Sequence, residues 1–111
     1  MSIEHKKQLL ERLDTVQHAT GILGCDLAFL LDITECYITN MHRWAYVSDN
    51  LVVKIELLID MLEESQRESD KPLFRKPSRE SISAFKIRRQ EMMEDFKNCF
   101  LAKLATHNDK D

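Results

Sequence analysis

Apolar residues recur every three or four positions along most of the chain, which is the spacing of helices that bury one face. The stretches with this pattern, each predicted to be helical, are residues 3–19, the two halves of 24–43, 51–64 and 79–105. Only two glycines and two prolines occur in the 111 residues, and both prolines, Pro72 and Pro77, lie in one polar stretch. A chain so poor in turn-forming residues is predicted to belong to the all-α class.

Composition divides the predicted helices into a domain and an extension. Residues 1–64 hold enough aliphatic positions for one small core, 65–78 form a linker or arm rich in Ser, Arg, Lys, Glu and Pro, and 79–105 form a C-terminal helix. Residues 106–111 are polar and are expected to be disordered. No stretch is apolar enough to span a bilayer or act as a secretory signal, and the cysteines lack C-x-x-C spacing. We therefore expect a cytoplasmic protein with reduced thiols.

The second predicted stretch contains two short helices joined by a tight turn. Ala28 is small enough to lie where their two axes approach. Asp32 stands at the turn, and Asp is among the non-glycine residues that best tolerate a left-handed backbone. The second short helix buries Ile38 and Met41 at i, i+3 spacing, which fastens it to the body of the domain. The aromatic pair in the connector 44–47 is expected to cover its base.

The same register leaves six side chains at the turn and on the second short helix pointing outward: Thr34, Glu35, Cys36, Thr39, Asn40 and Arg43. Thr34 can also cap this helix. In a DNA major groove, Asn40 can pair bidentately with adenine, and Arg43 with guanine or a phosphate. Thr39 can meet a phosphate or a thymine methyl group, and Glu35 can accept from a cytosine amine. The plainer interpretation is that these residues are only the solvated face of a core helix.

This segment resembles the helix-turn-helix of the lambda-type phage repressor, Cro and CII family, also called the Xre-like class. In that family the unit reads apolar-Ala, three residues, Gly-apolar-Ser/Thr, and then apolar-Ser/Thr in the middle of the reading helix. The same register here holds Leu27-Ala28, Asp32-Ile33-Thr34 and Ile38-Thr39, with Asp in the place of the usual glycine. The resemblance covers residues 3–64 and implies a small helix-turn-helix bundle with a C-terminal extension helix. It also implies a sequence-specific transcriptional regulator that binds double-stranded DNA as a homodimer on a two-fold repeat.

Charge is distributed unevenly and bears on this expectation. Residues 1–70 carry six basic and thirteen acidic side chains, whereas 71–103 carry nine basic and four acidic ones. Affinity for DNA comes largely from neutralised phosphates, so an acidic reading domain starts at a disadvantage. The cations expected to form a phosphate-contacting arm are Arg75, Lys76 and Arg79. They can equally remain a solvated linker or bind the acidic flank 60–70 of a partner subunit.

The last predicted helix carries one apolar stripe with three phenylalanines, interrupted by Arg89. Its apolar members recur every three or four residues, apart from that interruption: Ile82, Phe85, Met93, Phe96, Phe100 and Leu104. A helix with such an apolar stripe needs to have the stripe covered, so it either folds back on the first domain or pairs with a second copy. We favour pairing, which makes these residues the predicted dimer interface, because repressor-class proteins read two half-sites as dimers.

The residue pattern offers no constellation for catalysis or metal binding. The four histidines share no helical face with a cysteine or carboxylate at ligand spacing, so we expect no metal. There is no phosphate-cradling glycine loop and no nucleophile elbow, so we expect no cofactor and no enzymatic activity. The alternative to a DNA-binding regulator is a protein-interaction module on the same frame. An antitoxin, an antirepressor or a transcription accessory protein that binds another regulatory protein would be of this kind.

Overall fold

The apolar periodicity of the sequence corresponds to helices in the computed structural model, which describes residues 3–44 and 46–109, with the backbone alone for 107–109. The helices within these residues are α1 (Ile3–Thr20), α2 (Gly24–Leu31), α3 (Glu35–Trp44), α4 (Asp49–Arg67) and α5 (Ile82–Asp109). No strand occurs in the described part, so the predicted all-α class is confirmed. None of these helices is long and apolar enough to cross a membrane.

α1 and α4 pack side by side and supply half of the buried residues of the hydrophobic core. Six aliphatic side chains on these two helices are fully shielded from solvent: Leu13, Val52, Ile55, Leu58, Ile59 and Leu62. Burying a side chain of this size contributes about 1.5–3 kcal/mol. His5 pairs with Glu56, and Arg12 pairs with Asp60. Residue numbers thus rise together along the contact, so the two helices run in the same direction and form the platform for the rest.

The segment between α4 and α5 packs against the domain. Phe74 is buried, and its N–H donates to the carbonyl of Thr20 over 2.8 Å. Gly21 has a φ of 80°, and a Cβ added there would lie 3.2 Å from the backbone nitrogen of Arg75, so this glycine lets the segment approach the end of α1. The segment 65–78, predicted to be a linker or arm, instead continues α4 up to Arg67 and is anchored in the core through Phe74.

α5 folds back onto α2 and α4. Met93 and Phe100 are 5% and 1% exposed, and Phe96 and Leu104 pack partly buried against the same core. The ring of Phe96 meets the ring of Phe74 edge-on, with the centroids 6.2 Å apart. The predicted use of Met93 and Phe100 in a dimer interface is wrong, because both side chains are buried within the chain. Phe96 and Leu104 are only partly covered by the same core, and for them the interface stays a prediction.

The two ends of α5 also differ from the prediction. Ile82 stays 64% exposed and Phe85 is half-buried, so the start of the stripe is only partly covered. The helix begins three residues later than predicted, where the hydroxyl of Ser81 accepts the N–H of Ala84 over 3.2 Å. The tail predicted to be disordered over 106–111 is helical up to residue 109, and its last two residues lie outside the described part of the chain.

Candidate nucleic-acid interface

A left-handed residue joins α2 to α3. Asp32 has φ 55° and ψ 44°, and it is the one non-glycine residue with a positive φ in the described part of the chain. Its N–H and that of Ile33 both donate to the carbonyl of Ala28, which closes the end of α2. Ala28 is itself buried, so α3 can cross close to α2. The predicted turn at Asp32 is confirmed.

Thr34 and two apolar residues hold α3 in place. The Thr34 hydroxyl accepts the N–H of Tyr37 over 3.1 Å, so the predicted cap is confirmed. Ile38 and Met41 are 4% and 1% exposed and bury the inner side of the helix, as predicted. Tyr37 packs half-buried against the same core. α3 is therefore fixed along one side, and its other side faces solvent.

All six side chains predicted to point outward are exposed: Thr34, Glu35, Cys36, Thr39, Asn40 and Arg43. The Thr39 hydroxyl donates to the carbonyl of Glu35 over 3.2 Å, and the Asn40 amide donates to the sulfur of Cys36 at 3.8 Å. Arg43 has no ion-pair partner among the described residues, so its guanidinium is available to a ligand. The exposed side of α3 thus presents hydroxyl, amide and guanidinium groups, which are the groups that read base edges and phosphates.

The aromatic pair that follows α3 is exposed. Trp44 and Tyr46 are 70% and 63% exposed, so the prediction that they cover the base of this helix is wrong. Val47 takes the buried position in this connector instead. Trp44 stands four residues after Asn40, so by helical geometry the two lie on the same flank of α3. An aromatic side chain therefore borders the polar side of the helix.

A buried ion pair ties α2 to α5. The guanidinium of Arg89 donates two hydrogen bonds to the carboxylate of Asp26, one of them over 2.9 Å, and a third to the carbonyl of Phe74 over 3.3 Å. Asp26 also accepts the N–H of Leu23 over 2.8 Å at the start of α2. Hydrogen bonding to Asp26 raises the pKa of the Arg89 guanidinium above its ordinary value. The sequence contains one indication of this pair, which is the position of Arg89 inside the apolar stripe of α5. A cation that is buried with such a stripe needs an acidic partner.

A second ion pair connects α5 to the turn. The Nζ of Lys97 lies 2.7 Å from a carboxylate oxygen of Asp32 and 4.2 Å from the ring centroid of Phe29. The side chain of Lys97 is 18% exposed, whereas that of Asp32 is 69% exposed. Sequence reasoning missed this lysine, although its place next to Phe96 puts it at the edge of the buried stripe. α5 therefore brings a cation to the entrance of α3.

The cations predicted to form an arm do not lie on one extended segment. Arg75 donates to the carbonyl of His18 over 2.8 Å, and Lys76 donates to two carbonyls just before α5, over 3.1 and 3.0 Å. Arg79 is exposed. The backbone of the molecule itself thus engages two of the three side chains.

Several acidic side chains of the first 70 residues are paired within the chain. Arg12 reaches both Asp60 and Glu63, at 3.3 and 3.1 Å, and the hydrogen bond to Glu63 raises the pKa of the arginine. Lys6 lies 3.1 Å from Asp49, and its hydrogen bond lowers the pKa of that carboxyl group. All these pairs join α1 to α4. The acidic character of the domain is therefore not concentrated on α3.

Comparison with known proteins adds no assignment to this geometry. No protein-family model matches the chain, and no protein of curated function and no solved structure shows a significant match to it. The candidate interface is accordingly defined by the exposed side of α3, the turn at Asp32 and the two cations that α5 brings to α2.

Proposed function

We propose that the chain is a sequence-specific DNA-binding transcriptional regulator and that α2, the turn at Asp32 and α3 form a helix-turn-helix of the lambda-repressor type. The observation that carries the proposal is that α3 is amphipathic, with one buried apolar side and one exposed polar side. Ile38 and Met41 bury one side, and the opposite side is polar and exposed. An α-helix with its side chains is about 10–12 Å across. The major groove of B-DNA is about 12 Å wide and therefore admits such a helix.

In this proposal the side chains of α3 divide into base-reading and backbone-contacting groups. Asn40 pairs bidentately with adenine, and Arg43 pairs with guanine or a phosphate. Thr39 meets a phosphate or a thymine methyl group. Glu35 and Cys36 lie at the start of the helix, where a cytosine amine would be the partner of the carboxylate.

The pairing of acids within the chain removes part of the electrostatic objection to DNA binding. Asp26 and Asp32, the two acids of the α2 region, are both paired with cations of α5. Arg43 and Arg79 are exposed and supply positive charge for phosphates. Because Arg43 is the one arginine or lysine on α3, base contacts carry a larger share of the affinity than in a strongly basic module.

We further propose that two copies of the chain occupy one two-fold repeat, because a single short helix reads too few bases for a specific site. The copies do not meet through Met93 and Phe100, since these side chains are buried within each chain.

Selection of bound fragments from random duplexes tests the proposal. We expect enrichment of a short two-fold repeat with half-sites about one helical turn apart. Asn40→Ala and Arg43→Ala should each weaken binding to that repeat by about 1–3 kcal/mol. Matched controls are Asn98→Ala and Arg67→Ala, which remove the same side chains from exposed positions on α5 and α4. If no sequence is enriched, or if the controls lose as much affinity as the α3 variants, the proposal fails.

A second candidate function is a protein-interaction module, and the exposure of Trp44 and Tyr46 favours it. Trp and Tyr are the residues most enriched among the side chains that dominate protein–protein binding energy. A partner that covers both rings would also cover the Asn40 flank of α3. Retention on heparin and on random DNA, with a steep salt dependence, separates the two functions in favour of the regulator. Capture of a regulatory protein that Trp44→Ala abolishes, with no retention on DNA, favours the module.

A further inference from the structure

α5 forms ion pairs with α2 at both ends of α2. Arg89 binds Asp26 in the first turn of α2, and Lys97 binds Asp32 directly after its last residue. Eight residues of α5 rise about 12 Å and six residues of α2 about 9 Å, so the two helices run side by side in the same direction. The second contact lies at the turn that sets the position of α3.

The exposed carboxylate of Asp32 places a negative charge between two helix ends. The dipole of α2 disfavours negative charge at its C-terminal end, whereas the dipole of α3 favours it at its N-terminal end, so the two effects oppose each other. Asp32 also lies three residues before α3 and is largely exposed, so an approaching phosphate would meet a negative charge at the entrance of the reading helix. Its backbone is left-handed, which every residue except glycine adopts at some energetic cost.

Lys97 is held next to the Asp32 carboxylate by the residues around it. The ammonium group lies between the carboxylate of Asp32 and the ring of Phe29, and only 18% of the side chain is exposed. A lysine that is this well covered has less freedom to leave than an ordinary surface partner. We expect the contact to persist when the turn faces a polyanion.

On the basis of the proposed function, we infer that Lys97 is a positioning residue for DNA binding: from α5 it pins the turn at Asp32 and masks that carboxylate from DNA phosphates. α5 thereby influences the reading helix without entering the groove. Asp32 occupies the place where the resembling family has glycine, so this chain needs a cation there that a glycine turn would not need.

A double-mutant cycle on the full chain tests the inference. Lys97→Met removes the charge and keeps an unbranched side chain against Phe29. Lys103→Met makes the same change at an exposed position of the same helix and serves as the matched control. Asp32→Asn removes the carboxylate and keeps a side chain that tolerates the left-handed backbone.

The readout is affinity for the duplex recovered by selection. We expect Lys97→Met to weaken binding on the order of 10-fold, and Lys103→Met about 2-fold or less. In the Asp32→Asn background, Lys97→Met should cost no more than Lys103→Met. If Lys97→Met costs the same with and without the carboxylate, the lysine does not act through Asp32 and the inference is overturned.

Hydrogen exchange of the amides at residues 32–35, measured without DNA, separates this inference from the proposed function. Lys97→Met should speed their exchange relative to Lys103→Met, and Asp32→Asn should abolish the difference. If exchange is unchanged, Lys97 does not pin the turn, whatever the protein binds. If Lys97→Met speeds exchange but the wild type binds no duplex, the proposed function is wrong, and so is the role of Lys97 in masking Asp32 from phosphates. The role of Lys97 in holding the turn would still be supported.

Discussion

The guanidinium of Arg89 and the carboxylate of Asp26, 63 residues apart in the chain, form a two-pronged ion pair between α5 and α2. The side chains are 19% and 8% exposed, so both charges have lost most of their water. Asp26 receives a backbone N–H of its own helix start in addition. The pair therefore fixes the C-terminal helix to the segment that carries the candidate interface.

Arg89→Met should destabilise the protein by about 3 kcal/mol, near the lower end of the range for breaking a buried pair, because Arg89 retains some exposure. The loss arises from an unpaired buried carboxylate at Asp26. Urea unfolding measures it. Arg88→Met is the control, because Arg88 pairs with Glu80 on the surface, and its effect should be much smaller. Equal effects at the two positions would contradict a buried role for Arg89.

Phe100→Ala should destabilise by about 3–5 kcal/mol, because the ring is 1% exposed and its removal leaves a cavity. Ile82→Ala, at the exposed start of the same stripe, should change stability by less than about 0.5 kcal/mol. Packing within the chain also predicts a melting temperature that is independent of protein concentration. A melting temperature that rises with concentration, and a large effect at Ile82, would restore the stripe as an interface between copies.

Asp32→Val should destabilise by about 1–2 kcal/mol or more, because a β-branched residue is poorly suited to φ 55°. Asp32→Gly should change stability by less than about 1 kcal/mol, since relief of the left-handed backbone and loss of the Lys97 pair oppose each other. Thermal or urea unfolding of the two variants shows whether Asp32→Val is less stable than Asp32→Gly. A valine variant as stable as the glycine variant would mean that the turn does not hold this backbone conformation.

Acidification should release the contact between Glu80 and Arg88. The hydrogen bonds from Arg88, at 2.9 and 3.0 Å, lower the pKa of Glu80 below its ordinary value of 4.5. The folded pKa lies below the unfolded one, so the pair stabilises the fold above pH 4.5. That contribution disappears as the pH falls through the folded pKa. An NMR titration of the Glu80 carboxyl should give a midpoint below 4.5 that Arg88→Met moves upward. A midpoint at or above 4.5 in the wild type would contradict the contact.

The local features of the fold could be predicted from the sequence. The spacing of Ile38 and Met41 determined which side of α3 is buried, and Thr34 and Asp32 carry their preferences for a cap and a left-handed turn in their own chemistry. These predictions depend on residues within one or two helical turns of each other. They placed the six outward side chains at the turn and on α3 correctly.

The long-range features could not be predicted in the same way. The stripe on α5 showed that the helix must be covered, but a second copy satisfies an apolar stripe as well as the domain itself does. Whether α5 packs on its own domain depends on contacts between residues far apart in sequence, such as Asp26 with Arg89 and Asp32 with Lys97. The periodicity of the sequence does not reveal such contacts. Phe74 was hidden for a related reason, because a single aromatic residue in a polar segment has no repeat to mark it as core.

An NMR titration of the full chain with the duplex recovered by selection shows whether the exposed side of α3 enters DNA. We expect amide shift changes concentrated on residues 34–43 that weaken as salt is raised. In Asn40→Ala the same shift changes should require a higher duplex concentration, whereas Asn98→Ala should titrate like the wild type. A titration without shift changes in α3, or with changes confined to other surfaces of the molecule, would contradict the proposed DNA binding through α3.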